Sequence, residues 1–187
     1  MIFRRKQSNI AFSKKSSISR YYITFTKDTM LYYSYIETPV GLMQIEANEV
    51  ATTSILFVDE KEDDIEESSL TKMAAKQLNE YFDKKRKSFN IPLAIDGSAF
   101  QQSVWEHVEG IPFGKTATYL HVSKQLNNAG SVRAVGAANG KNRFAIVIPC
   151  HRVIAANGGL TGYAWGLWRK EWLLQHEGVI KQTKLFD

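Results

Sequence analysis

From Leu31 the chain falls into segments of distinct period. YYSYIETPVG (32–41) alternates apolar and polar side chains and reads as a strand running into a turn at Pro39-Val40-Gly41. LMQIEA (42–47) and ATTSILFV (51–58) continue with β-branched and alternating apolar residues, so a small antiparallel sheet is expected. Residues 59–67 are acidic and loop-like. Leu70 to Phe82 changes to helical spacing, with Met73, Leu78, Tyr81 and Phe82 on the expected buried side, and the basic run 84–87 closes the unit.

After Gly97 the period stays helical. FQQSVWEHV (100–108) reads as a helix stopped by the Ile111-Pro112-Phe113-Gly114 turn. Thr118–Leu126 reads as a second helix and residues 127–130 as a turn. Ser131 is placed to cap a third helix, SVRAVGAAN. Two short helices about a glycine-containing turn have the layout of a helix-turn-helix. Ala145–Ile148 reads as a short buried strand leading into Pro149-Cys150-His151-Arg152. A glycine-rich loop over 157–163 leads to a last helix with Leu167, Trp168, Trp172, Leu173 and Leu174 on its apolar side, and residues 178–187 read as a frayed end. The fold class is therefore α+β. A small N-terminal α+β domain with antiparallel strands (31–95) is followed by a mainly helical C-terminal domain (96–178) containing the helix-turn-helix.

Charge sharpens this division. Residues 1–30 carry a net +6, residues 31–100 a net −6 and residues 101–187 a net +5. The C-terminal part could face a polyanion, and the middle would be repelled by one. Residues 1–29 are basic, serine-rich and poor in acid, and are expected to be a disordered tail. An organelle presequence, a nonspecific nucleic-acid tether and a start at Met30 all remain compatible with that composition. No apolar run reaches the roughly 20 residues of a membrane span. The single cysteine excludes an intramolecular disulfide, argues against a thiolate-bound structural zinc and fits a reducing compartment.

That cysteine is where chemistry concentrates. A free thiol, with a reference pKa near 8.5, is only a few per cent ionised at neutral pH and needs a base to react. His151 is the adjacent candidate, and Pro149 stiffens the approach to the pair.

IPCHRVI, preceded by Asn142 and followed by LTGYAWGLWRKEWLLQHE, resembles the O6-alkylguanine-DNA alkyltransferases, the methylated-DNA–protein-cysteine methyltransferases. FQQSVWEHVEGIPFGKTATY, SVRAVGAAN and TPVGLMQIEA resemble further blocks of that family in the same order, so the likeness spans about residues 31–177. It implies direct-reversal DNA repair, in which a methyl or short alkyl group moves once from O6 of guanine, with O4 of thymine as a second candidate, to Cys150. His151 would draw the thiol proton through a water, Glu177 would orient His151, and Asn142 would support the active-site turn. Tyr119 would help turn the nucleotide out and donate toward guanine N3. Arg133 would enter the gap left by the base, and Asn128 would contact DNA. Tyr163, Ala164 and Trp165 would line the base pocket. The resemblance further implies a monomer acting on double-stranded DNA without sequence preference, no cofactor, no metal, no membrane association, and a cytoplasmic location, or a nuclear one in a eukaryote.

This chain departs from the family at Arg143, where many members have proline, a change expected to loosen the turn. It departs also at Ala164-Trp165, where many relatives have two small residues, so that the indole is expected to narrow the pocket. A helix-turn-helix regulator would leave the PCHRV segment and Glu177 unexplained. An alkyltransferase-like lesion sensor would lack the cysteine, and a Cys–His hydrolase would turn over repeatedly.

Overall fold

The computed structural model describes residues 10–13, 20–23, 30–127 and 129–180. Strands β1 (Ile10–Ser13), β2 (Arg20–Ile23), β3 (Tyr32–Thr38), β4 (Gly41–Ala47), β5 (Thr52–Phe57) and β6 (Leu93–Ala94) form one sheet in the order β1-β2-β6-β5-β4-β3. The β3–β4 hairpin turns on Pro39 and Val40, with Thr38 opposite Gly41. Proline's fixed φ suits the first turn position, and Gly41, at φ +109°, takes the conformation that other residues avoid. Helix α1 (Ser69–Phe82) starts at a reciprocal cap between Ser68 and Thr71 and lays Ala74, Leu78 and Tyr81 on the sheet. Met73 and Phe82, expected inside, are only half-buried, while Thr71 and Gln77 are buried in their stead.

Two sequence expectations fail here. The segment expected to be a disordered tail contributes β1 and β2, which pair antiparallel with Ile10 opposite Ile23, and β2 runs parallel to β6 with Arg20 opposite Leu93. The β-prone stretches around Phe12 and Tyr21-Tyr22 thereby continue a sheet whose β6 edge would otherwise offer unpaired backbone groups. Ala145–Ile148 is buried as expected but is not a strand. Phe144 forms a lone parallel bridge with Ile55, and the chain then coils through turns. Ile146 sits at φ +71°, with the Val147 amide donating to the Ala145 carbonyl at 2.8 Å, a tight γ-turn on a β-branched residue. Such a conformation costs on the order of 1–3 kcal/mol and persists only where the surroundings enforce it. The bonds from Ile55 N to Arg143 O and from Ala145 N to Ile55 O, at 2.8 and 2.9 Å, do so by fixing this segment to β5.

The remaining elements are α2 (Ala99–Glu109), β7 (Ala117–Thr118), α3 (Tyr119–Gln125), α4 (Val132–Gly140), β8 (Val153–Ile154) and α5 (Leu167–His176). Ser98 and Gln101 cap α2 reciprocally, and Thr118 caps α3. Ser131 does not cap α4; its hydroxyl meets that of Ser123 on α3 at 3.1 Å, because the preceding single turn of 3-10 helix (Ala129–Ser131) brings the chain into α4 already coiled. Val104, Trp105, Val108, Val135 and Ala138 continue one core that also takes in Ile146 and Ile148 beneath the cysteine. On α5 only Leu173 and Leu174 of the expected apolar side are fully buried. Leu167 and Trp168 are exposed, since the buried face of that helix includes Lys170. No helix among the described residues is long and apolar enough to cross a membrane.

Candidate active site

Cys150 opens a single 3-10 turn, Cys150–Arg152, that follows the strained segment directly, and is 2% exposed. The turn is held from both sides. Asn142 Nδ2 donates to the Ile148 carbonyl at 2.8 Å and to Cys150 Sγ at 3.2 Å, while its Oδ1 accepts from Phe144 N at 2.9 Å. Asn139 on α4 donates through Nδ2 to the Cys150 carbonyl at 3.2 Å. The turn expected to loosen at Arg143 is thus tied by Asn142 and by the Arg143 carbonyl on β5.

His151 and Glu177 meet, as the resemblance implies. His151 Nε2 lies 2.8 Å from Glu177 Oε1, both side chains fully buried. A carboxylate can only accept, so Nε2 carries the proton and Nδ1 is left as an acceptor, buried and without a hydrogen-bond partner. Glu177 takes four further donor contacts. Arg152 Nη2 (2.9 Å) and the Tyr81 hydroxyl (2.9 Å) reach Oε1, and Arg152 Nε (2.9 Å) and the Gly114 amide (3.1 Å) reach Oε2. Gly114 is required there, because its φ is +74° and a Cβ would stand 3.2 Å from the Glu177 carbonyl.

The electrostatics follow from burial and these partners. Burial opposes ionisation of Glu177, but His151 and Arg152 outweigh it and hold the carboxyl at about 2. Burial pushes His151 below its usual range despite Glu177, so the imidazole rests neutral. Burial pushes the Cys150 thiol up to about 11, against the pull of Asn142 and of the Lys170 charge. The expected activated nucleophile is therefore a protonated thiol at rest. Lys170 is itself fully buried, donating from Nζ to the carbonyls of Val153 (2.7 Å), Thr161 (3.1 Å) and Gly162 (3.4 Å), and desolvation lowers it to about 8.

Cys150 lines a cavity of about 390 Å³ between α4 (Val132, Gly136, Asn139, Gly140) and the loop from Thr161 to Ala164, with Tyr119 at one side. That volume suits a small aromatic ligand. Tyr119 heads α3 and donates to the Thr161 carbonyl at 3.3 Å; burial raises its phenol above the usual range. Tyr163 and Ala164 line the cavity as expected. Trp165 does not. Its ring packs edge-on against Phe57 of β5 (5.9 Å) and Tyr163 (5.2 Å), because Arg169 takes the Trp165 carbonyl (2.8 Å) and the Val40 carbonyl (2.7 Å) together and draws the residue toward the sheet. Arg133 is exposed on α4, outside the cavity wall. Asn128 lies outside the described residues. No cluster among the described residues could hold a metal ion.

Sequence reasoning missed four contributors. Arg152 stood inside the recognised motif without a role. Lys170 was legible as a lysine in register with Leu173 and Leu174 on the buried face of the last helix. Asn139 lay in a helix read for its small residues. Tyr81 was expected to be buried, but no local signal connects it to a carboxylate 96 positions away.

The family model of the 6-O-methylguanine DNA methyltransferase ribonuclease-like domain matches residues 31–95, and that of the same family's DNA-binding domain matches residues 99–179. The methylated-DNA–protein-cysteine methyltransferase of Methanosarcina acetivorans is 42% identical over 154 residues, covering 79% of this chain and 99% of its own. The crystal structure of the Mycobacterium tuberculosis O6-methylguanine methyltransferase superposes with a TM-score of 0.72 at 35% identity, covering 84% of this chain and all of that one. A structure of Mycobacterium tuberculosis OGT in complex with DNA gives 0.71 at 36% identity, covering 78% and 92%. With both halves matched and this identity over most of its length, the chain belongs to the methylated-DNA–protein-cysteine methyltransferase family.

Proposed function

We propose that Cys150 is the acceptor for the family's reaction, direct reversal of DNA alkylation by transfer of the alkyl group to a cysteine, and that O6-alkylguanine in double-stranded DNA is the substrate. The observation that carries this reading is Cys150 on the wall of a base-sized cavity, next in the chain to a histidine whose Nδ1 is buried and free to accept a proton. The thiol proton passes through a bridging water to His151 Nδ1, and the imidazolium is held by Glu177. Sγ attacks the alkyl carbon, the bond from that carbon to O6 breaks, and its electron pair leaves on the base. Tyr119 returns a proton toward guanine N3, and Lys170 steadies the transient thiolate. The thioether has no route back, so each molecule acts once.

A base within a duplex hides O6, so the nucleotide must be extruded at a cost of a few kcal/mol, least for a weakly paired lesion. The helices α3 and α4 serve as a helix-turn-helix. Gly136, Ala134 and Ala137 let α4 lie against the backbone, and exposed Arg133 fills the gap in the stack. The minor groove, whose readout is degenerate, suits repair in any sequence context. Residues 96–178 carry catalysis and DNA binding, with residues 31–95 packed behind them, and a monomer suffices. A nucleophilic thiol works where it is kept reduced, in the cytoplasm or in the nucleus of a eukaryote. O4-alkylthymine is a secondary substrate. The test is peptide mapping after reaction with a duplex carrying labelled O6-methylguanine. Label on the Cys150 peptide, and none in Cys150→Ala, is expected; label elsewhere overturns the assignment.

A further inference from the structure

The hydroxyl of Tyr81 comes from α1, in the part of the chain that precedes the DNA-binding half, and ends on the carboxylate that serves the active-site histidine. Its ring is fully buried and set among Phe82, Phe89, Phe113 and His176, with centroids 5.0–6.0 Å away. Its carbonyl is engaged as well, by His176 Nε2 at 2.9 Å. The hydroxyl shares Oε1 of Glu177 with His151 Nε2 (2.8 Å) and Arg152 Nη2 (2.9 Å). We propose that Tyr81 is a positioning residue of the proton relay, fixing Glu177 Oε1 and setting how tightly the His151 imidazole holds the proton it takes from Cys150.

Three donors draw on the charge of Oε1, and each weakens what that oxygen can offer the others. The Tyr81 hydroxyl is a donor without net charge, so it tempers the carboxylate without adding the repulsion toward an imidazolium that Arg152 brings. Removing it leaves Oε1 with His151 and Arg152 alone. The carboxylate then stabilises the imidazolium more strongly, and protonation of His151 moves to higher pH. Since the working base is the neutral imidazole, the acid limb of the reaction must move the same way. The other charged groups facing His151 are Arg152 and Lys170, and those facing Tyr81 are Glu177 and Arg152. Tyr163 and Cys150 are coupled to the site as well, with Tyr119 and Arg169 next to them in turn, and the His176 ring packs on Tyr81. Tyr81→Phe keeps each of these groups in place and removes only the hydroxyl that draws on Glu177 Oε1.

The proposal rests on the reading of His151 as the base, and the experiment separates the two. Tyr81→Phe keeps the buried ring and its aromatic neighbours. 3-Fluorotyrosine at position 81, a stronger donor, perturbs the same contact in the opposite sense. Two profiles are measured on the full chain: the pH dependence of single-turnover methyl transfer from an O6-methylguanine duplex, and the ¹⁵N titration of the His151 ring without DNA. In Tyr81→Phe both should shift up by about half a pH unit, and in the fluorotyrosine protein both should shift down, while the high-pH plateau changes far less than the rate on the limb. Loss of rate at every pH with unmoved titrations in both proteins would make Tyr81 a packing residue and overturn the proposal. A ring titration that moves while the transfer limb stays fixed would instead overturn His151 as the base.

Discussion

At rest the Cys150 thiol, at about 11, is a weak nucleophile at neutral pH, with on the order of one molecule in ten thousand ionised. This suits a protein that acts once, because a buried, protonated thiol resists oxidation and stray electrophiles until a base fills the cavity. The residues behind it carry an acid liability. Glu177 is held at about 2 in the fold, against an unfolded value near 4.3, so its contribution is present above the unfolded value and is lost as pH falls toward 2. His151 is depressed as well, so the unfolded chain gains a proton below about 6.5 that the folded site refuses. Both effects weaken the fold in acid, Glu177 by on the order of 3 kcal/mol once fully protonated. Urea unfolding of Glu177→Gln should start from a lower stability at pH 7, by about 3 kcal/mol, since Arg152 loses its buried counter-charge. It should also decline less between pH 6 and pH 3 than the natural chain. Parallel decline in the two proteins would place the acid sensitivity elsewhere.

At the scale of elements, the loop from Thr161 to Ala164 forms one wall of the cavity. Trp165 stands against Phe57 and Tyr163 and not in the cavity, so Trp165→Gly should not make the protein more sensitive to O6-benzylguanine. It should instead cost about 1–3 kcal/mol of stability, lowering Tm by several degrees. A clear gain in benzylguanine inactivation would show that the indole swings inward when a base is bound. The identity of Trp165 was legible in the sequence, but its direction was not, because it is set by Arg169 reaching the Val40 carbonyl 129 positions away. The same holds at Ala145–Ile148, where an apolar run fits a buried strand and a buried coil equally well, and only pairing with Ile55 decides. The elements whose signals are local, such as α1 with its Ser68 cap, α2 with its Ser98 cap and the β3–β4 hairpin, were legible with boundaries close to those observed. On α4, Arg133 is exposed and makes no wall of the cavity. Arg133→Ala should slow repair of duplex DNA at least tenfold while leaving alkyl transfer from free O6-alkylguanine nearly unchanged, in single-turnover assays of both substrates. Equal losses would give Arg133 a role in the fold.

At the scale of the whole molecule, the two halves meet at the chemistry. The sheet holds the cysteine segment through Ile55, α1 sends Tyr81 to Glu177, and the β3–β4 turn receives Arg169. The recognisable motif disclosed Cys150, His151, Asn142 and Glu177, and in the structure Asn142 reaches Cys150 and His151 reaches Glu177. The residues that join the halves were not legible, since each is an ordinary core or surface residue until its distant partner is known. The central claim, that the chain transfers alkyl groups to Cys150 and acts once, is tested most directly by intact-mass measurement after incubation with a large excess of O6-methylguanine duplex. The expected result is one methylene equivalent added per protein molecule and one lesion removed per molecule, with the reaction then stopping. Lesions removed in excess of protein, or an unmodified protein after repair, would contradict it.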